Sequence, residues 1–584
     1  MKFLIPRPGI LPVSIRGNLR VLSLNQAVNS LSRRIEDGLR QAKVDVTTVE
    51  TSDGDEMVSE VQRLQPDLIL CPFMKTRIPK VLYADRSRPC LVVHPGIAAD
   101  RGACSIDWTI FQGRPRWGVT VLEANDEMDG GAIWSCDSFP VPDGSTKSSL
   151  YNGAVADAAV RCTLDAVSRF SQHVDPMDKA AYPDLFGLCT ETRNMKHSDR
   201  RVDWNTPAED VVRRVRMSDT SPGAIGLLEQ HGDVQEWRLF DAHAETGRRS
   251  KILKNALSSS RPGTPIATKN GAVLISTAGS SGVWIGQMKR FTQDQCLKLP
   301  SSHILPVQLP LHRESCDFEE IKVVHEGEIC YVYFDFYNGA MDTTQAVRLQ
   351  EVLSEVAASP HTKVIALMGG ERFFSTGIHL CVMQNSVDKQ KNAWANINAI
   401  NDVIKSVFTM KDKTTVAVLR GNAGAGGAML ATACDLSVAH PGVCVTPTYK
   451  SMNLHGSEYW TYFLPEKVGQ ETAKRLVESV DTLTARQAHE IGLIDHVINV
   501  DKIGFHDKVK SLLHDIAHNT AHHVIQHKML TRTEDWFRQL ARHREYELSH
   551  MKMNFQSSEF LNAMHDFVFK VPPKRDSFDK KQLG

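Results

Sequence analysis

Between Arg20 and Glu123 the chain alternates short β-rich runs with longer stretches of helical periodicity. RVLSL precedes NSLSRRIEDGLRQA, VDVTTVE precedes EMVSEVQRLQ, and DLILCPF, PCLVVH and WGVTVLEA continue the series. Each helix must carry the chain back to begin the next strand, and the commonest solution is a parallel sheet with helices on its faces. Ligands of such sheets bind beyond the carboxyl ends of the strands, where His94 falls, directly after PCLVV. An α/β unit over residues 20–188 is expected, with a candidate site included.

At 584 residues the chain is too long for one hydrophobic core. Residues 189–306 are richer in Gly, Ser and Thr. Runs such as EWRLFDAHAE, TPIATKNGAVLISTAG and GVWIGQMKR read as short strands joined by tight turns such as Asn270-Gly271, predicting a small β-barrel-like unit. Residues 307–317 read as a linker. From 318 to 584, strand-like GEICYVYFDF, KVIALMGG and TTVAVLRG alternate with helical patterns, and the chain is mostly helical after Lys467.

Lys plus Arg equals Asp plus Glu at 68 each, so no global charge points to nucleic acid or an anionic membrane. The 12 cysteines include no C-x-x-C pair, which argues against a zinc ribbon or disulfide framework and for a reducing compartment. Pro6, Pro8 and Pro12 interrupt the start of the chain, so residues 1–19 read as an extension rather than a signal peptide. The expectation is a cytoplasmic enzyme acting on small molecules, with no metal, nucleic-acid or membrane partner.

Two loops carry the chemistry of the first unit. VVHPGIAADRGACSIDW presents His94, and WGVTVLEANDEMDGGAIW places Asp129 in a Gly-flanked loop after another strand. An imidazole beside a carboxylate stabilises a developing oxyanion and shuttles a proton. The plainer alternatives are a structural histidine and an Asp-Gly turn. HPGI and MDGG, with the segment between them, resemble the folate-dependent formyltransferases, whose loops read Asn-x-His-Pro and Met/Leu-Asp-x-Gly. KHSDRRVDW resembles the entry to that family's small C-terminal domain. The resemblance implies that His94 and Asp129 are catalytic. It departs at Val92, which stands where the family has asparagine.

In the third unit, Phe374-Ser-Thr-Gly377-Ile378-His379, the turn from Arg420-Gly421 to Gly427, and SVDTLTARQAHEIGLIDHVI resemble in order the crotonase (enoyl-CoA hydratase/isomerase) superfamily. The resemblance implies a crotonase fold and a CoA thioester whose carbonyl lies on the N–H groups of Ile378 and Gly426, an oxyanion hole. The hydratase glutamates fall on Met429 and near Thr448 and Tyr449, so simple hydration is rejected. TPTYKSMNLHGSEYWTYFLP stands in their place. It is either an amphipathic interface or the lining of a different active site formed by Tyr449, Glu458 and Tyr459.

The two units in one chain, with NSLSRR, PFMKTRIP, HPGIAADRGACSIDW and YKSMNLHGSEYWTYFLP, resemble the hydrogenase-maturation HypX/HoxX family. In that family an apolar residue at Val92 is expected. The resemblance implies transfer of formyl from 10-formyl-tetrahydrofolate to coenzyme A, then release of carbon monoxide from formyl-CoA; removing the formyl proton needs a base other than the hydratase glutamates, for which Tyr449 and Glu458 are the candidates. It also implies an internal cavity between the halves, with hydrogenase maturation proteins as candidate partners. Arg34, Arg77 and Arg101 are candidates for phosphates or the folate tail. Two other readings stay open: a tethered formyltransferase and acyl-CoA isomerase or hydrolase that work independently, and a non-catalytic folate- and CoA-binding scaffold.

Overall fold

A computed structural model describes Ile15 and residues 18–571, apart from 99, 103, 178–192, 231, 248–250, 292–295 and 307. Most of the N-terminal extension and the boundary expected at 188–189 lie outside the described residues.

The first unit is a six-stranded sheet. Its strands are β1 (Arg20–Asn25), β2 (Asp45–Glu50), β3 (Leu68–Phe73), β4 (Cys90–His94), β5 (Arg116–Glu123) and β6 (Ile133–Pro140), in the order β2-β1-β3-β4-β5-β6. The first four run parallel. WGVTVLEA, expected to extend the parallel set, instead runs antiparallel to β4, with His94 opposite Thr120, and β6 pairs back onto it. Only a short loop joins β5 to β6, too short for a crossover, so the pair closes as a hairpin. Alternation along the strands separates two cores: Val21, Leu68, Leu70 and Val93 face one side, and Leu22, Leu24, Ile69 and Cys71 face the other. The Ser30–Gln41 helix starts on a capping box formed by Asn29 and Ser32. It packs with the Ala156–Ser171 helix over the first of these cores.

The second unit contains β7 (Ala224–Gln230), β8 (Asp233–Glu245), β9 (Pro265–Lys269), β10 (Ala272–Thr277), β11 (Ser281–Arg290) and β12 (Leu299–Pro300). They form an antiparallel sheet in the order β7-β8-β11-β10-β9, with β12 on β11. Among the described residues no ladder joins the edge strands β7 and β9. Asn270 and Gly271 both have positive φ, as a two-residue hairpin turn requires. The expected linker is not free. His312 donates its N–H to the Thr268 carbonyl (2.8 Å), Thr268 donates to Pro310 (2.9 Å), and Cys316 and Phe318 are buried with Trp284 and Leu257. The linker covers an edge strand and an apolar face that would otherwise meet water.

The third unit contains a six-stranded sheet, a four-stranded sheet and a two-stranded pair of Ala340–Met341 with Gly377–Ile378. Ile321–Glu326, Ile329–Phe334, Val364–Leu367, Thr414–Leu419, Leu436–Ala439 and His496–Val497 lie side by side in that order. A smaller sheet of Phe373–Ser375, Asn422–Gly424, Cys444–Thr446 and Leu483–Thr484 lies apart from it. Helices from Lys502 to Phe569 complete the unit. No described helix is long and apolar enough to cross a membrane.

The units meet through buried ion pairs. Asp107 binds Lys147 (2.6 Å) and Arg200 (3.0 Å), which ties the first unit to the second. Arg372 of the third unit reaches Asp219 (2.9 Å) and the Ser148 hydroxyl (2.7 Å), so one guanidinium spans all three. A cavity of about 680 Å³ lies at this junction, lined by Ser149 and Ala154, by Arg216 and Asp241, and by Tyr337 and Arg372.

Candidate functional site

The first site is built where β4 ends. Ser105 Oγ (3.0 Å) and Trp117 Nε1 (3.0 Å) donate to the Pro95 carbonyl, and Thr120 Oγ1 donates to the Gly96 carbonyl (2.9 Å). Three side-chain donors thus fix the loop that follows His94. The imidazole is buried between two carboxylates: Nδ1 lies 3.4 Å from Asp129 Oδ2, and Nε2 lies 3.4 Å from Asp100 Oδ2. Gly96 makes this possible, because a methyl group there would collide with the His94 ring and stand 2.7 Å from the Asp100 carboxylate. Asp129 has left-handed backbone (φ 52°) and accepts from the Gly102 N–H (3.3 Å), so the two loops brace each other.

Asp100 was not singled out from the sequence, although it lies six residues after His94 in the same loop. Val92 contributes no polar side chain to the end of β4. Of the three arginines, Arg101 is exposed and binds Glu127 (3.0 Å) on the loop that carries Asp129. Arg77 is exposed beside the Asp126 carboxylate on that same loop. Arg34 departs from the expectation. Its guanidinium pairs with buried Asp157, donates to the Asn152 carbonyl (3.3 Å) and is pressed against Gly442 of the third unit. It holds an interface between units.

The second site is assembled from two glycine turns and one strained segment. A methyl group on Gly377 would stand 3.2 Å from the Gly426 nitrogen, so the turns ending in Ile378 and Gly426 converge. Ala425, before the Gly426–Thr432 helix, has φ 46° and ψ −123°, a conformation that L-residues rarely adopt. Such strain costs about 1–3 kcal/mol and persists where neighbouring structure enforces it. Here Ala425 N–H donates to the Thr446 carbonyl (3.0 Å).

The Glu458 side chain lies against Gly426, where any added carbon would meet its carboxylate. Tyr449 Oη donates to Glu458 Oε2 (2.8 Å), and so does the Ser457 N–H (3.0 Å). Burial pushes Glu458 up to about 7, against the lowering effect of those two donors. Burial, and then the Glu458 charge, push the Tyr449 phenol up. The pair is therefore an acid held near neutrality beside a phenol that stays protonated, which suits proton abstraction at pH 7.

Tyr459 does not join them. Glu458 and Tyr459 are successive left-handed residues (φ 69° and 60°), and the second turns its ring onto Phe408 (4.9 Å between centroids), with Arg544 beside its hydroxyl. Met429, where a hydratase carboxylate was sought, is wholly buried, and Thr448 Oγ1 is spent on the Val477 carbonyl (3.0 Å).

Ser457, Asn401 and Glu547 complete the buried polar cluster and were not found from sequence. Glu547 had a signal: it falls on the buried stripe Leu540, Glu547, Met551 of the Glu534–Asn554 helix, where an apolar residue is expected.

Comparison with known proteins divides the chain in the same way. The formyl transferase family matches residues 21–167, the formyl transferase C-terminal domain residues 194–296, and the enoyl-CoA hydratase/isomerase family residues 326–577. Hydrogenase maturation factor HoxX of Bradyrhizobium diazoefficiens is 34% identical over 571 residues, 95% of this chain and 96% of that protein. HypX from Aquifex aeolicus, in a crystal structure with tetrahydrofolic acid, superposes with a TM-score of 0.85 at 33% identity, covering 96% of this chain and 98% of that one. Methionyl-tRNA formyltransferase of Bacillus velezensis is 22% identical over 236 residues, 40% of this chain and 69% of that protein.

Proposed function

Because this chain belongs to the HoxX/HypX family of hydrogenase maturation factors, a formyltransferase fused to an enoyl-CoA hydratase/isomerase unit, we propose that it relays one formyl group through both units. The donor is 10-formyl-tetrahydrofolate, the acceptor is the thiol of coenzyme A, and the final product is carbon monoxide.

In the first unit the sulfur attacks the formyl carbon, the C–N bond breaks, and His94 conveys the thiol proton to the departing folate nitrogen. Asp129 and Asp100 orient the ring and offset the charge it gains in transit. In the third unit the formyl-CoA carbonyl rests on the N–H groups of Ile378 and Gly426. The Glu458 carboxylate takes the formyl proton, the C–H pair stays on carbon as the C–S bond breaks, and carbon monoxide leaves. Glu458 then returns the proton to sulfur, so coenzyme A re-forms as the thiol. The sum is 10-formyl-tetrahydrofolate giving tetrahydrofolate and carbon monoxide, with atoms and charge balanced.

One observation carries the proposal: a buried carboxylic acid held near pH 7 lies against the glycine turn where a crotonase holds its thioester, while the position sought for a water-activating carboxylate is Met429. A formyl thioester has no α-carbon, so hydration has no substrate here, whereas a base at the formyl hydrogen does. The junction cavity is walled by all three units, and passage of the acyl carrier through it is part of the proposal.

The test supplies donor labelled with carbon-13 in the formyl group, together with CoA. The wild-type chain should release labelled carbon monoxide, and Glu458→Gln should stop it and leave formyl-CoA detectable by mass. Labelled formate as the main product of the wild type would favour a hydrolase and sink the proposal.

A further inference from the structure

The base proposed above has a support of its own. Glu547 is wholly buried on the Glu534–Asn554 helix, about 90 residues away in sequence. Its carboxylate accepts from the N–H groups of Tyr459 (2.9 Å) and Thr461 (2.8 Å) and from the hydroxyls of Thr461 (2.7 Å) and Ser457 (3.4 Å). All four donors belong to residues 457–461, the segment that holds the two left-handed residues Glu458 and Tyr459. Asn401 grips the same segment from the Lys389–Thr409 helix. It accepts from the Glu458 N–H (2.9 Å) and donates to Ser457 Oγ (2.8 Å).

We infer that Glu547 is the positioning residue of the decarbonylation site: by gathering four donors of residues 457–461 it holds a strained turn in the conformation that lays the Glu458 carboxylate against Gly426 and Tyr449. The inference rests on the reaction proposed above, since that reaction gives Glu458 its task. A buried carboxylate is costly unless it is well bonded, and this one stands where an apolar residue would complete the helix face. Nothing in the packing of that helix requires a carboxylate there. The turn does.

The ionisable groups around the pair are few. Glu458 faces Tyr449 from its own segment and Glu547 from the long helix. Glu547 faces Glu458 and, through Thr461 Oγ1, His543 Nδ1 (2.9 Å), while Arg544 and Asp402 lie beyond Tyr459. Burial and the Glu458 charge push Glu547 up to about 8, against its donors. Near pH 7 it is mostly neutral, and either the Thr461 or the Ser457 hydroxyl can reverse to accept its one proton while the backbone N–H groups of Tyr459 and Thr461 still donate to its oxygens. It therefore holds the turn without opposing the ionisation of Glu458.

The test uses the full chain and reads tetrahydrofolate release and carbon monoxide release separately, each across pH. Displacing a reacting group by about 1 Å costs about 100-fold. Glu547→Ala should lower carbon monoxide release by about that factor, and Glu547→Gln, which keeps one acceptor oxygen, by less. Tetrahydrofolate release should continue in both. In Glu547→Gln the rising limb of the carbon monoxide profile should move below pH 7, because a loosened turn admits water to Glu458. If Glu547→Ala fails to fold, Glu547→Gln carries the test. Wild-type rates and an unmoved limb in Glu547→Gln would overturn the inference, and so would equal losses in both half-reactions. Glu458→Gln separates the two claims: if it still makes carbon monoxide, the assignment of the base fails first.

Discussion

A histidine between two carboxylates and a glutamic acid beside a phenol are the two residue-scale facts on which the proposed chemistry depends. At the first site Asp100 is nearly as buried as a side chain can be, and it faces the ring nitrogen that Asp129 does not. Asp100→Asn should therefore slow tetrahydrofolate release by about tenfold, less than the ~100-fold or more expected of the proton carrier itself, because Asp100 orients the ring. His94→Ala should abolish it, and steady-state folate assays read both. At the second site the sign of the pH dependence follows from the proton balance. Glu458 is raised from 4.5 to about 7, so its carboxylate, the form active in the proposed reaction, appears as pH rises, and carbon monoxide release should climb through about pH 7. Stability runs the other way. Between 4.5 and about 7 the folded chain holds a proton that the unfolded chain has released, so stability falls as pH rises through that window. The cost is on the order of 3 kcal/mol above it. Glu458→Gln should thus gain thermal stability relative to wild type on going from pH 5 to pH 8 while losing carbon monoxide release. A melting-temperature difference that does not change with pH would show that the group is not raised.

Elements decide which of these residues meet. The Gly426–Thr432 helix starts from a strained Ala425 and presents its first residue to Glu458. Gly426→Ala would drive a methyl group into that carboxylate, and carbon monoxide release should fall by about 100-fold with tetrahydrofolate release intact. Loss of both activities would instead mean a folding defect. The turns at Gly377 and Gly426, and the loops carrying His94 and Asp129, are legible in the sequence because each is a local pattern of glycine and polar residues at a strand end. The direction of β5 was not legible, since a strand's own residues do not say whether the chain crosses over or turns back. Tyr459 was misjudged for a related reason. Glu458 and Tyr459 both take left-handed backbone and Tyr459 turns its ring onto Phe408, a local geometry that residue spacing does not predict. Glu547 lay too far along the chain for any motif to include it, and only its place on a buried stripe betrays it. Arg34 shows the opposite error, because a basic residue in a resembling segment is as readily spent on an interface as on a ligand.

At the scale of the whole molecule the central fact is that three units line one cavity and share buried charges beside it. Ala154 lines that cavity, and Ala154→Trp should fill part of it. If the proposed formyl-CoA crosses this cavity, the expected result is less carbon monoxide for each tetrahydrofolate released. An unchanged ratio would mean that the carrier travels through solvent. The proposed relay, as opposed to two tethered enzymes, is tested most directly by one assay. The intact chain is mixed with 10-formyl-tetrahydrofolate, with and without coenzyme A, while tetrahydrofolate release is followed and carbon monoxide is trapped on reduced haemoglobin. The relay predicts carbon monoxide only when coenzyme A is present, in step with tetrahydrofolate and absent in His94→Ala. Folate turnover indifferent to coenzyme A, with no carbon monoxide on the haemoglobin, would contradict it.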